Sequence, residues 1–135
     1  MVPGSGTITA VIWLAIAVGG ALGSMARHGV NVLVHGRWPM MKFPLATAIV
    51  NVTGCLIIGL LAGLIMSNRI TPRLYWREFV FVGVLGGFTT FSTFGLDTVT
   101  LARTHSMTPA LLNVIAQIAL GLLAVQAGIL LASRG

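Results

Sequence analysis

Charged side chains are scarce in this sequence, and acidic ones are almost absent. Only 7% of its 135 residues are charged, and Glu78 and Asp97 are the only acidic ones. Soluble domains carry charge on about a quarter of their residues, so most of this surface is not suited to water. A single cysteine, Cys55, excludes an intrachain disulfide and a cysteine-rich metal site. No Ser/His/Asp or Cys/His set has a credible context, and we therefore do not expect an enzyme.

Long hydrophobic runs dominate the chain instead, with 56% of the residues hydrophobic. Four of them have about the 20 apolar residues needed to cross a bilayer, and they cover residues 8–26, 43–66, 79–101 and 109–132. Arg27 is expected to end the first. The basic residues lie around the ends of these runs without forming a cluster, which favours membrane anchoring over nucleic-acid binding. The sequence predicts an all-α integral membrane protein that forms one domain, residues 1–135, within the lipid bilayer.

The basic residues are evenly divided between the two sides of the predicted bundle. Four spans place both termini on one side, and each side then holds four Lys or Arg: Arg69, Arg73, Arg77 and Arg134 on one, Arg27, Arg37, Lys42 and Arg103 on the other. Orientation follows the difference between these counts. A zero difference predicts dual topology, with an antiparallel homodimer as its product. A fixed topology remains the alternative, because moving one residue across a boundary changes the balance.

Small residues recur four positions apart in the first and second spans. The pairs are Gly19 and Gly23, Gly20 and Ser24, and Gly59 and Gly63. Such pairs let helix backbones approach closely in lipid. Packing within the protomer and contact across a dimer are both compatible with this pattern.

The centre of the third span, residues 83–95, carries the most informative pattern. The adjacent Gly86 and Gly87 are followed by hydroxyl residues, and both features weaken a helix. In lipid, non-helical backbone survives only where it is buried in protein or lines a cavity, and transporters use such breaks to expose backbone groups to ions. We predict a break in the third span, with carbonyls from Gly86 to Thr89 suited to a cation and hydroxyls beyond them to an anion. A glycine-softened packing helix is the alternative.

Three phenylalanines, Phe88, Phe91 and Phe94, would share one face if this segment were helical. Ser92 and Thr93 lie between two of the rings, which is a poor arrangement for plain packing. Aromatic rings have electropositive edges. Ring edges can therefore face an anion without a fixed charge that would trap it.

The second and fourth spans also carry polar residues at depth. Asn51 lies near the middle of the second span, with Thr47 one turn earlier on the same face. A buried asparagine is costly in hydrocarbon without a partner, and it offers two N–H donors. An interhelical hydrogen bond is the alternative explanation; together with the predicted break, the pair favours an anion path. Asn113 and Gln117 share a face of the fourth span and are interpreted as interhelical hydrogen-bonding residues.

Three stretches, residues 19–27, 47–54 and 86–94, resemble motifs of the CrcB/Fluc family of fluoride channels. The resemblance extends over nearly the whole chain. It implies an antiparallel, dual-topology dimer in a bacterial cell or inner membrane, with two separate fluoride pores. It also implies passive export of cytoplasmic fluoride, and hence fluoride resistance.

The resemblance also implies roles for individual residues. The fluoride pathway would be formed by the pore phenylalanines Phe91 and Phe94, the pore asparagine Asn51, and a polar track of Thr47, Ser92 and Thr93. The backbone carbonyls of Gly86 and Thr89 from both subunits would hold a structural Na⁺ on the two-fold axis, and Arg27 would lie near an aqueous vestibule. The chain departs from the family at His28, where an aromatic residue is common, and at Asn113 and Gln117, where tyrosine and serine are frequent.

Two other functions fit a protein of this size. A small dual-topology multidrug exporter shares the span count and charge balance, but it needs a deep acidic residue, for which Asp97 is the only candidate. A non-transporting membrane subunit would require a partner chain.

Overall fold

The computed structural model describes residues 5–134, and regular structure within them is entirely helical. The helices are α1 (Ser5–Arg37), α2 (Leu45–Met66), α3 (residues 74–88), α4 (Phe91–Thr104) and α5 (Met107–Ser133). They form four segments long and apolar enough to cross a membrane, with α3 and α4 together making the third. The predicted all-α architecture, with four segments able to cross a membrane, is confirmed.

The first helix is longer than predicted. It does not end at Arg27 but continues to Arg37. No proline interrupts this stretch, and the half-buried Arg27 side chain finds a protein partner, the Thr89 carbonyl, instead of requiring water. At about 1.5 Å per residue, α1 is roughly 50 Å long, more than the ~30 Å hydrocarbon core. Its C-terminal part therefore extends beyond the core of the membrane.

Glycines bring the helices together in two parallel pairs, α1 with α3 and α2 with α5. A Cβ on Gly23 would overlap the Val84 carbonyl oxygen and lie 2.8 Å from the Phe88 nitrogen. On α2, a Cβ on Gly59 would overlap the Val125 carbonyl oxygen in the same way. The pairs Gly19/Gly23 and Gly59/Gly63 therefore pack within the protomer, whereas a Cβ on Gly20 would meet no atom within 4 Å and both explanations stay open for Gly20 and Ser24.

The third span changes its helical geometry before it breaks. Its first turn, Leu74–Arg77, is α-helical, a π-helix follows over Glu78–Leu85, and Gly86–Phe88 returns to α. The π-helix was not predicted, because a continuous apolar run carries no signal that separates it from an α-helix. Such segments are rare and frequently lie at functional sites.

The predicted break in the third span is confirmed at Thr89 and Thr90. Both residues have extended backbone, with φ/ψ of −78°/159° and −153°/111°. Thr90 then caps α4, because its hydroxyl accepts the Thr93 backbone N–H at 3.2 Å. The cap satisfies one of the donors that a new helix start leaves without an intrahelical partner.

Candidate functional site

Asn51 joins α2 to the break in the third span. Its Nδ2 donates to the Thr90 carbonyl at 3.2 Å, and the Thr90 N–H donates back to Oδ1 at 2.9 Å. The second Nδ2 hydrogen goes to Oε1 of Gln117 at 2.8 Å. Both N–H donors of the Asn51 amide are therefore bonded to protein acceptors. A fluoride ion that binds this amide would have to replace one of these acceptors.

The chain of hydrogen bonds continues from Gln117 along α5 and back to α4. Gln117 Nε2 donates to Asn113 Oδ1 at 2.9 Å, and the fully buried Asn113 donates to the Thr98 hydroxyl at 2.9 Å. Thr98 in turn donates to the Phe94 carbonyl at 2.8 Å. The predicted interhelical role of Asn113 and Gln117 is confirmed.

Hydroxyl groups continue the same network on the other side of Asn51. The Thr90 hydroxyl lies 2.9 Å from that of Thr93 and 3.3 Å from that of Ser92. Thr90 itself is buried, whereas Ser92 and Thr93 are exposed on the surface of the protomer. A continuous neutral polar chain therefore links α2, the break, α4 and α5.

Two phenylalanines after the break face an open groove. The rings of Phe91 and Phe94 are 5.5 Å apart between centroids and tilted by 50°. They line a groove of about 380 Å³ together with Asn51 and Gln117, and Phe91 exposes 83% of its surface. The groove is therefore open at the surface of the protomer.

Phe88 does not belong to this aromatic pair. The shared face of the three phenylalanines requires a continuous helix, and the break at Thr89 and Thr90 removes that condition. Phe88 is buried before the break, where its ring approaches Gly54 of α2. It therefore contributes to packing behind the break.

A second cavity, of about 290 Å³, lies toward the connector between α1 and α2. Its lining includes Thr47, Thr93, Asp97 and Lys42. The Thr47 hydroxyl donates to Oδ2 of Asp97 at 2.7 Å, so its proton is already used. Thr93 borders this cavity and also belongs to the polar chain, which places the chain between the cavity and the phenylalanine groove.

Arg27 of α1 also lies at the break. Its Nη1 donates to the Thr89 carbonyl at 3.2 Å, and its own carbonyl accepts from Asn31 of the same helix at 3.1 Å. Gly86 and Thr89 both border the phenylalanine groove. One of the two carbonyls expected to bind Na⁺ thus already has a cationic neighbour.

The structure identifies residues of this site that the sequence does not predict. Thr90 and Thr98 are not part of the sequence prediction, and Gln117 is expected to form a hydrogen bond between helices but not specifically to Asn51. The four-residue spacing of Asn113 and Gln117 was the available signal, since it places both amides on one helix face. Nothing in the sequence showed that this face meets Asn51. Within residues 5–134, no three His, Cys, Asp or Glu side chains come together to hold a metal ion.

Known proteins similar to this chain agree on one family. The family profile described as "CrcB-like protein, Camphor Resistance (CrcB)" matches residues 14–129. A fluoride-specific ion channel FluC from Paracoccus denitrificans is 48% identical over 117 residues, covering 87% of this chain and 90% of the relative. One of the same name from Solibacter usitatus is 42% identical over 122 residues, covering 90% and 98%. The chain is therefore a multi-pass membrane protein that belongs to the CrcB (FluC) family.

Proposed function

We propose that this protein is a fluoride channel that lets cytoplasmic fluoride leave passively down its electrochemical gradient. The observation that carries the proposal is the neutral polar chain through Asn51, next to the exposed Phe91 and the half-buried Phe94 after a break in a membrane helix. A relative that is 48% identical over 117 residues is named a fluoride-specific ion channel. A channel is not an enzyme, in agreement with the sequence prediction.

The proposed ion route runs from the Thr47–Asp97 cavity to the phenylalanine groove. Thr93 and Ser92 provide hydroxyls along it, and Phe91 and Phe94 provide ring edges beyond them. Fluoride is small and strongly hydrated, so a path must offer several donors in place of water. Neutral donors do this while leaving dissociation possible, which conduction requires.

Asn51 and Thr47 would act within this route in different ways. Asn51 would release its hydrogen bond to Gln117 when an ion passes. This bond joins two side chains, and either side chain can rotate without moving the backbone. Thr47, whose proton is held by Asp97, would position that carboxylate rather than donate to fluoride. A carboxylate beside the route repels anions, so we expect the hydroxyl bond and Lys42 of the same cavity to offset its charge.

The direction of transport follows from the electrical potential across the membrane. An elementary charge moving through 100 mV gains about 2.3 kcal/mol. In a bacterial inner membrane that is negative inside, this drives fluoride outward without any coupled ion. Hydrogen fluoride that enters from an acidic exterior and dissociates inside would supply the trapped anion, so the channel would give fluoride resistance.

An antiparallel homodimer is the proposed working form. The phenylalanine groove is open on one side of the protomer. Phe91 is also more exposed than a side chain that lines a closed pore would be. The nearly equal distribution of Lys and Arg, four on one side and three on the other once Arg27 is placed at the break, supports insertion in both orientations. Two protomers of opposite orientation would each complete the other's groove, producing two pores.

A structural Na⁺ at the dimer axis is a further part of this proposal. The donor chemistry fits, since carbonyls freed by a broken helix coordinate Na⁺ in other membrane proteins. The Thr89 carbonyl has a second lone pair beside the one facing Arg27, so it can serve both partners. Gly86 and Thr89 would hold the ion, whose charge would fix the two breaks against each other. Replacing Na⁺ by N-methylglucamine should then lower dimer stability without altering the monomer's helix content.

Fluoride efflux from liposomes containing only this purified protein tests the function. Efflux, followed with a fluoride electrode after a K⁺ ionophore is added, should be fast for fluoride and slow for chloride. Phe91→Ile should reduce fluoride efflux at least tenfold by removing the ring edge from the groove. Phe79→Ile, in the half of the third span before the break, is the matched control and should retain it.

Two results would contradict the proposal. Absence of fluoride efflux from folded dimers would favour a non-transporting membrane subunit. Proton-coupled export of organic cations that is lost in Asp97→Asn would favour a multidrug exporter instead.

A further inference from the structure

The loop between α2 and α3 forms a basic, aromatic corner that the proposed ion route does not use. We call this the Arg73 corner: the cleft lined by residues 70–73, Tyr75 and Trp76, and the apolar groove beside it. The cleft has a volume of about 310 Å³ and contains the Arg73 side chain. The adjoining groove, of about 270 Å³, is lined by residues 7, 8, 11 and 12 of α1 and by Leu74 and Tyr75. Tyr75 borders both, so the two spaces are neighbours.

The charge of this corner is positive and largely unopposed. Arg69, Arg73 and Arg77 are all exposed, and Glu78 is the only acidic residue at this end. The other acidic residue, Asp97, is bonded to Thr47 near the opposite end of α2. Within the described part of the chain, the Arg73 guanidinium makes one long hydrogen bond, from Nη1 to the Tyr75 hydroxyl at 3.4 Å. No other side-chain hydrogen bond of Arg73 to residues 5–134 is present.

The position of the corner along the third span matches the level of lipid headgroups. With the break at the bilayer centre, Trp76 lies at most about 20 Å from that centre, because 1.5 Å per residue is the α-helical rise and the π-helical residues Glu78–Leu85 rise less. Half of the hydrocarbon core is about 15 Å thick, so Trp76 and Arg73 lie just outside it. Ile8 and Val11 line the apolar groove and are nearly half exposed, so their side chains are accessible to a lipid chain.

We propose that the Arg73 corner binds one anionic phospholipid. The phosphate would accept hydrogen bonds from Arg73, with Arg69 and Arg77 adding to the field, and an acyl chain would lie in the groove between Ile8 and Leu74. Arginine suits this role because its planar donors match phosphate oxygens. The apolar groove beside the guanidinium distinguishes a lipid from a free phosphate, which has no use for it.

Native mass spectrometry of the full-length protein tests this binding. The detergent-solubilised protein would receive equal amounts of phosphatidylglycerol and phosphatidylcholine with identical acyl chains. We expect phosphatidylglycerol to be retained preferentially, and Arg73→Gln to reduce that preference roughly fivefold, as expected for one arginine near an anionic headgroup. Arg103→Gln, an exposed arginine in the last turn of α4, is the matched control and should leave the preference unchanged.

A second measurement does not depend on any variant folding. Phosphatidylglycerol with brominated chains should quench the tryptophan fluorescence of the wild-type protein more than brominated phosphatidylcholine, because Trp76 lies at the corner. Equal retention and equal quenching by the two lipids would overturn the proposal. So would equal loss of preference in Arg73→Gln and Arg103→Gln, or phosphatidylglycerol displaced by millimolar inorganic phosphate, which would indicate a plain anion site. These measurements record binding, so their failure is separate from a failure of fluoride transport.

Discussion

At the scale of single residues, Asn51 holds three helices at one point. It belongs to α2, exchanges two hydrogen bonds with Thr90 at the break, and donates to Gln117 on α5. A buried polar group that loses its partner costs roughly 1–3 kcal/mol. The conformation of the break therefore depends on one amide as much as on the glycines that precede it.

The bond between Asn51 and Gln117 can be measured with a double-mutant cycle. Asn51→Ala and Gln117→Ala should each lower the free energy of unfolding in detergent, and the double variant should lose less than their sum, with a coupling of roughly 1 kcal/mol. Pairing Asn51→Ala with Ser67→Ala, whose hydroxyl bonds to Gly63 at the far end of α2, should be additive. Additivity in both pairs would show that the amide contact is absent in solution.

At the scale of helices, close glycine contacts fix α1 against the segment that leads to the break. Gly23 and Gly20 lie one turn apart on α1 but differ in their surroundings. A Cβ on Gly23 would overlap backbone atoms of α3, whereas a Cβ on Gly20 would have no atom within 4 Å. The same substitution therefore has different consequences at the two positions.

Gly23→Ala should destabilise the protein by about 1–3 kcal/mol, the usual cost of overpacking, because backbone cannot move aside as a flexible side chain can. It should also slow fluoride efflux, since the clash lies next to Phe88 and the break. Gly20→Ala should have stability and efflux close to wild type. Thermal unfolding and liposome efflux of both variants would check this, and equal effects would contradict the helix packing described above.

The sequence predicted the elements better than their contacts. The Gly86–Gly87 pair followed by threonines indicated the break, because both features act locally on the backbone. The length of α1 was underestimated, since Arg27 was judged by its charge alone and its partner, Thr89, is distant in sequence. For the same reason Gln117 was not connected with Asn51: hydrogen bonds between helices depend on their relative rotation, which hydrophobic periodicity does not determine.

At the scale of the whole molecule, charge placement should decide how the protein inserts. With Arg27 held at the break, Arg37→Gln with Arg103→Gln leaves only Lys42 on one side against four basic residues on the other. Arg69→Gln with Arg77→Gln leaves two against three and so produces the opposite bias. Each double variant alone should insert in one orientation and lose fluoride resistance. Co-expression of the two should restore it, because each then meets a partner of the other orientation.

C-terminal reporter fusions that are active on one side of the membrane would record the orientation, and growth in fluoride would record the function. A double variant that inserts in a single orientation and still confers full resistance would exclude the antiparallel dimer. Wild-type fusions active on only one side would lead to the same conclusion.

The π-helical stretch Glu78–Leu85 would allow the third span to lose one residue and remain helical. A π-helix places more residues in each turn than an α-helix does, so the stretch can lose one residue by tightening to the α-helical repeat. Phe88 and the break after it would then keep their positions. The helix α2 has no π-helical segment that could absorb a deletion. Losing one residue there would rotate Asn51 by about 100° relative to the residues on the other side of the deletion. A related protein one residue shorter before the glycine pair would therefore keep the same arrangement at the break.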